Sequence, residues 1–119
     1  MDFITRHKEQ PFYVYYSLSH VHNEILRTPD SAPDSKDLYY DNVAYMDKLV
    51  GKLVTELERL KLRENTLIVF AGDNGTVPRE TPRSTVHGKV LSGSKGTMLE
   101  CGALVPCLAS WPGTIPAGK

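Results

Sequence analysis

The sequence predicts an α/β protein, a mostly parallel sheet with one long amphipathic helix. Three observations predict it. Residues 11–18 and 66–71 are nearly unbroken apolar and aromatic runs, which is how strands covered on both faces read. Between them, Tyr39, Val43, Met46, Val50, Leu53, Leu57 and Leu60 recur at spacings alternating between four and three, the stripe of a helix. Strand, helix and strand in that order form a βαβ unit, whose right-handed crossover makes its two strands parallel.

Each element has its own justification. Pro11-Phe12-Tyr13-Val14-Tyr15-Tyr16-Ser17-Leu18 opens on a proline and is dense in β-branched and aromatic residues, so it is expected as a buried strand. Residues 19–36 hold prolines, serines, aspartates and two histidines, and are expected as a loop. The helix is placed at residues 37–62, with Lys48, Lys52, Glu56, Glu58 and Arg59 forming its wet face. Arg59 and Lys61 lie at its carboxyl end, where the helix dipole favours cations. After a turn at Arg63-Glu64-Asn65, residues 66–71 form the second buried strand. Residues 72–94 are rich in Gly, Pro, Ser and Thr and are expected as a long functional loop. A short helical turn follows at 95–100, then a third strand at 105–111 that Pro112-Gly113 stops. Three strands and one helix leave the sheet faces incompletely covered, as in a piece of a larger domain.

Composition narrows the function classes. The chain has 119 residues, 40% of them hydrophobic and 24% charged, with 14 Lys+Arg against 14 Asp+Glu. The zero net charge argues against nucleic-acid binding. No apolar run has the length of a membrane span. Residues 1–10 are polar, without the apolar core of a signal peptide. Cys101 and Cys107 lack the spacing and partners of a zinc site and are expected as buried free thiols, with a disulfide as the alternative.

The chemistry gathers at strand ends. In open α/β sheets ligands sit beyond the carboxyl ends of the strands. His20 and His22 from one loop, and Asp73 and Asn74 from another, are therefore expected to face a common crevice, together with whatever follows Trp111. Asp73-Asn74-Gly75 offers two hard oxygen donors suited to Ca²⁺ or Mg²⁺, and Gly75 allows a sharp turn. The same tripeptide is also a good strand-end turn, and both readings stand at this point. Asn74-Gly75-Thr76 matches a glycosylation sequon, but a glycan and a metal cannot share Asn74. Gly93-Ser94-Lys95-Gly96 lets a lysine approach an anion closely with backbone N–H groups nearby; a solvated loop lysine is the plainer reading. His20-Val21-His22 places two imidazoles on one side of an extended segment, able to bind metal or move protons, or simply exposed.

Read together, the ordered segments resemble the type I sulfatase family of the alkaline-phosphatase superfamily, arylsulfatase-like members above all. The resemblance is carried by Pro11-Phe12-Tyr13-Val14-Tyr15-Tyr16 with His22; by Tyr45 to Leu53 and Leu60 to Phe70; by Asp73-Asn74-Gly75; and by Leu91 to Thr97 with Glu100, Gly102, Val105-Pro106 and Trp111-Pro112-Gly113. It runs from about Pro11 to Lys119. Glu24 stands where the family often has proline, Cys101-Gly102 where it usually has two glycines, and Gly72 where serine is frequent. The resemblance implies a partial alkaline-phosphatase-like fold, with residues 1–119 the C-terminal part of a sulfatase catalytic domain. It implies a sulfate ester as substrate, Asp73 and Asn74 as two of four side-chain calcium ligands, and Lys95 on a sulfate oxygen. It also implies that His22 contacts substrate or donates a proton to the leaving group. The family nucleophile is a formylglycine made within a Cys/Ser-x-Pro/Ala-x-Arg signature; residues 1–119 contain none, nor an Asp-Asp pair, so both are expected upstream and the isolated chain is expected to be inactive. Family members are commonly secreted, periplasmic or lysosomal. Two other readings are a phosphate or phosphonate ester hydrolase of the same superfamily, and a non-catalytic α/β binding module.

Overall fold

The structure, a computed structural model, describes residues 2–22 and 24–118 and divides into two compact units, Met1–Asn65 and Thr66–Lys119. The first is helical. A short helix α1 (Asp2–Arg6) precedes a long irregular segment, and the long helix α2 (Leu38–Arg59) follows, then a 3-10 turn at Arg63–Asn65. Helix α2 falls inside the expected span of 37–62. Asp37 stands just before it and caps it, its carboxylate accepting the Tyr40 N–H at 3.0 Å. The helix ends through Lys61, which adopts φ 59°. Lys61 N–H donates to the Glu58 carbonyl and Leu62 N–H to that of Leu57, a Schellman closure in which glycine is the usual residue.

The face of α2 that carries Leu49, Leu53, Leu57 and Leu60 is shielded, and Leu57 is 1% exposed. Burying such a side chain contributes about 1.5–3 kcal/mol. Ile4 of α1 is also buried, and Thr5 donates to Glu56 at 3.3 Å, so α1 lies against the second half of α2. Asn42 ties down the loop that precedes the helix: its buried amide donates to the Leu26 and Leu38 carbonyls, each at 2.8 Å. An ion pair between Lys48 and Asp30 holds the same loop.

The stretch expected as the first buried strand is corrected. Residues 11–19 form no strand and no other regular structure, and Tyr13 and Tyr15 are 83% and 79% exposed. Strand structure needs a paired neighbour, and the other described elements of this unit are helices. The expected βαβ unit is therefore absent among the described residues.

The second unit holds two antiparallel pairs. Strand β1 (Ile68–Ala71) pairs with β4 (Cys107–Ser110), with Ile68 opposite Ser110 and Ala71 opposite Cys107. Between them lie a 3-10 turn at Thr81–Arg83, a tight hairpin β2 (Thr85–Val86) and β3 (Lys89–Val90), and the short helix α3 (Glu100–Ala103). The expectation of a mostly parallel sheet fails here for a topological reason. Residues 72–106 fold back on themselves through the turn, the hairpin and α3, and the chain re-enters β4 at the same end of β1 that it left, so it runs the other way. Nor are these strands covered on both faces: β1 alternates, with Val69 59% exposed between half-buried Ile68 and Phe70. The loop expected at 72–94 is in fact partly ordered by the turn and hairpin, and the helical turn expected at 95–100 is displaced to Glu100–Ala103. Cys101 is buried and Cys107 exposed, both as free thiols, so the expectation of burial holds for one of the two.

Candidate functional site

The loop that leaves β1 does not break away from the partner strand. Gly72 N–H donates to the Pro106 carbonyl at 3.0 Å, extending the β1–β4 register by one step. The ladder then lapses over Asp73 and Asn74, and bonding resumes with Gly75 N–H on the Gly102 carbonyl at 3.0 Å and Thr76 N–H on that of Cys101 at 2.9 Å. Both of these acceptors belong to α3, so the strand pairing ends at Gly72 and the short helix holds the loop beyond it. Asp73, exposed, and Asn74, half-buried, lie in the gap between the two sets of bonds.

Glycines make the close approach of the two loops possible. A Cβ on Gly75 would lie 2.0 Å from the Cys101 carbonyl oxygen, and one on Gly102 would lie 2.2 Å from that of Thr97. The expected reason for Gly75, a sharp turn, is thus replaced by a requirement for space.

Thr76 is the hub that brings the lysine in. Its carbonyl accepts the Lys95 N–H at 2.6 Å, its N–H is held by Cys101, and its hydroxyl accepts from Ser84 at 3.3 Å. Lys95 sits in a loop closed by Cys101 N–H on the Ser92 carbonyl and by Thr97 on Ser94. Gly93 and Gly96 take φ 81° and 89° on either side, conformations that glycine adopts without strain. The Lys95 N–H itself is committed to Thr76. That bond brings the loop of Lys95 to Thr76, two residues after Asn74, at one end of β1. In an antiparallel pair that end is also the start of β4, so the partner loop is residues 92–106, not the segment after Trp111.

His20 and His22 belong to the first unit. Val21 between them has φ 63°, and Glu24 has φ 60°. A β-branched residue in this region stores strain of about 1–3 kcal/mol. The segment is therefore not extended, and the alternation of an extended chain does not set the direction of the two imidazoles. His22 is exposed. His20 is half-buried, its ring 5.5 Å from that of Tyr45, and its Nδ1 has no hydrogen-bond partner. Both line a cavity of about 220 Å³ with Ser19, Ile25, Leu26 and Asn42.

Sequence reasoning missed a further group. Glu80 is 7% exposed, and its carboxylate is gripped by Arg79 Nε at 3.2 Å and Arg83 Nε at 2.9 Å. Arginines one residue before and three after an isolated glutamate were the available signal. Among the described residues no group of three or more His, Cys, Asp or Glu side chains is placed to hold a metal, and no helix is long and apolar enough to cross a membrane.

A carboxylate, a side-chain amide and a lysine thus stand on neighbouring segments at one end of β1. The family follows from comparison with known proteins. The sulfatase family model matches residues 1–119, and the chain belongs to that family of sulfuric ester hydrolases. It is 34% identical to N-acetylgalactosamine-6-sulfatase of Canis lupus familiaris, over 100% of this chain and 23% of that protein. It is 35% identical to steryl-sulfatase of Rattus norvegicus, over 99% of this chain and 21% of that one. With arylsulfatase D of Homo sapiens the identity is 36%, covering 100% and 21%. The solved structure of Ps i-CgsB in complex with k-i-k-neocarrahexaose superimposes with a TM-score of 0.82 at 31% identity, over 99% of this chain and 27% of that one. The fold is accordingly the α/β, alkaline-phosphatase-like fold of sulfatases, in part. The chain spans 21–23% of the length of these curated relatives.

Proposed function

We propose that residues 1–119 are the C-terminal part of a sulfatase catalytic domain and contribute half of its sulfate ester site. The observation that supports this reading is the set of backbone bonds from Gly75 and Thr76 to α3 and from Lys95 to Thr76, which holds the loop of Lys95 against the segment just after Asp73 and Asn74. Asp73 and Asn74 would hold calcium, for which their oxygen chemistry is suited; two donors fall short of the 6–8 oxygens that the ion takes, so its other ligands come from outside the chain. Calcium, when bound, polarises the sulfate group. Lys95 supports a sulfate oxygen and stabilises the charge that develops there, as a preorganised cation does. His22 contacts the ester oxygen or protonates the leaving group, a role that rests on the sequence resemblance. The nucleophile, a formylglycine, is supplied from outside residues 1–119, and the isolated chain is inactive. Exposed Tyr13, Tyr15, Val69 and Leu108 support the reading of a partial domain, since such apolar surface suits burial against further structure.

The test is a titration of the isotope-labelled chain with calcium and inorganic sulfate, followed by NMR. Calcium is expected to bind weakly and shift the amides of residues 72–76, and sulfate to shift those of residues 93–97. Asp73→Asn abolishes the first response and Lys95→Ala the second. Release of sulfate from an aryl sulfate by the chain alone, or variants that respond like the parent, would refute the half-site. Release of phosphate from an aryl phosphate would favour the phosphate ester reading instead.

A further inference from the structure

The charge of the chain is not evenly spread. Between Asn74 and Leu99 there are four cations, Arg79, Arg83, Lys89 and Lys95, and one carboxylate, Glu80. This segment is also anchored to the proposed site. It leaves at Thr76, where Ser84 Oγ reaches the Thr76 hydroxyl and the Glu80 carbonyl at 3.3 and 3.2 Å, and it returns at Ser92. Inside it, Glu80 N–H donates to Val77, Arg83 N–H to Glu80 and Leu91 N–H to Ser84, so strand β3 packs back against the 3-10 turn.

Glu80 is the anchor of the turn. A carboxylate buried to this degree requires paired cations, and two guanidiniums meet it. One carboxylate cannot neutralise two arginines, so the trio keeps a formal positive charge. Arg79 carries it outward: its side chain is 74% exposed, and only its Nε is used, on Glu80 Oε1. Its two Nη groups have no partner among the described residues. The Nε contact tethers the guanidinium and leaves its outer edge open for two parallel hydrogen bonds to an anionic oxygen pair. Lys89, exposed on the hairpin that packs against the same turn, adds a second charge.

We propose that Arg79 and Lys89 form a subsite for a second anionic group of the substrate, apart from the sulfate at Lys95. The substrate is then an ester carrying more than one anionic group, such as a multiply sulfated glycan. This rests on the half-site reading above and narrows it. The orientation of Arg79 by Glu80 distinguishes the subsite from a scatter of solvated surface cations, which would bind polyanions in proportion to charge alone.

The test compares two probes on the full chain by calorimetry and NMR: inorganic sulfate, with a single anionic centre, and sucrose octasulfate. The parent is expected to bind sucrose octasulfate at least tenfold more tightly than R79Q/K89Q, with the largest shifts at Arg79 and its neighbours. Inorganic sulfate shifts residues 93–97 equally in both. Arg79→Lys, which keeps the charge and loses the fork, gives an intermediate affinity. K52Q/K61Q, which removes two cations from α2 and its cap, leaves the affinity unchanged. The inference is overturned if R79Q/K89Q binds like the parent, or if K52Q/K61Q loses as much. Loss of the inorganic sulfate response at residues 93–97 in the parent would refute the half-site reading by itself, and the octasulfate comparison would still report on Arg79 and Lys89.

Discussion

Replacing Gly75 by alanine tests whether the two loops are held as close as their hydrogen bonds indicate. The added Cβ would sit 2.0 Å from the Cys101 carbonyl oxygen and 2.6 Å from the Gly102 carbonyl carbon, both backbone atoms with no rotamer to yield. Two responses are open to the chain. The loops separate and lose the bonds from Gly75 and Thr76, at about 0.5–1.5 kcal/mol each. Or they stay together under an overpacking strain of about 1–3 kcal/mol. Either way the cost is about 1–3 kcal/mol, a shift of roughly 1–2 M in urea midpoint for a small protein. Trp111, the chain's only tryptophan, lies directly after β4 and reports unfolding of this unit by fluorescence. Amide exchange at Thr76 and Lys95 reads the loop bonds directly and accelerates in the variant. Gly51→Ala is the matched control. Gly51 lies within α2, and a Cβ there meets nothing within 4 Å. Alanine is the better helix former by about 0.8–1 kcal/mol, so that variant gains stability in the helical circular dichroism transition. The same substitution thus takes opposite signs in the two units. An unchanged Trp111 midpoint together with unchanged exchange at Thr76 in Gly75→Ala would refute the close-packed loops, and with them the placement of Asp73.

Two further outcomes follow from the first unit. Lys61→Gly relieves a left-handed position at the helix end while keeping both Schellman bonds; it raises stability by about 0.5–1 kcal/mol, read from the helical transition, and a loss would count against that closure. The Arg59 guanidinium, bonded to Glu56 at 2.7 and 2.8 Å, holds the Glu56 carboxyl below the ordinary glutamate range. A depressed carboxyl contributes stability above its unfolded pKa, and that contribution is lost as the pH falls through the folded value. Carbon NMR titration of Glu56 is therefore expected to give a lowered pKa in the parent and a return toward the ordinary range in Arg59→Gln; an identical curve in both would remove Arg59 as the cause.

Local signals were legible where local physics decides. The three-four spacing of Tyr39 to Leu60 located α2 to within a turn, because the period of a helix is written in adjacent residues. The apolar run ending at Ala71 and the one around Leu108 located β1 and β4. Pairing was not legible, since the same apolar runs serve parallel and antiparallel neighbours, and only the return path of residues 72–106 decides between them. Pro11 to Leu18 shows the other limit: strand-forming composition without a paired neighbour makes no strand. At the site, Asp73, Asn74 and Lys95 stood out by residue type. Thr76 and Glu80 did not, because their importance lies in backbone bonds and burial that distant segments create.

The lapse in pairing at Asp73 and Asn74 has a consequence for length. Gly72 is bonded to Pro106 and Gly75 to Gly102, so deleting a single residue between them would pull against backbone bonds on both sides. Residues 77–91, by contrast, leave from Thr76 and return to Ser92 within one knot of hydrogen bonds. That excursion can grow, shrink or change its charges with the backbone bonds of Gly75, Thr76 and Lys95 intact, at the cost of the Ser84 bond to Thr76 unless a hydroxyl is kept there. The segment around Asp73 and Asn74 is thus bound to its length, and the excursion beyond it is not.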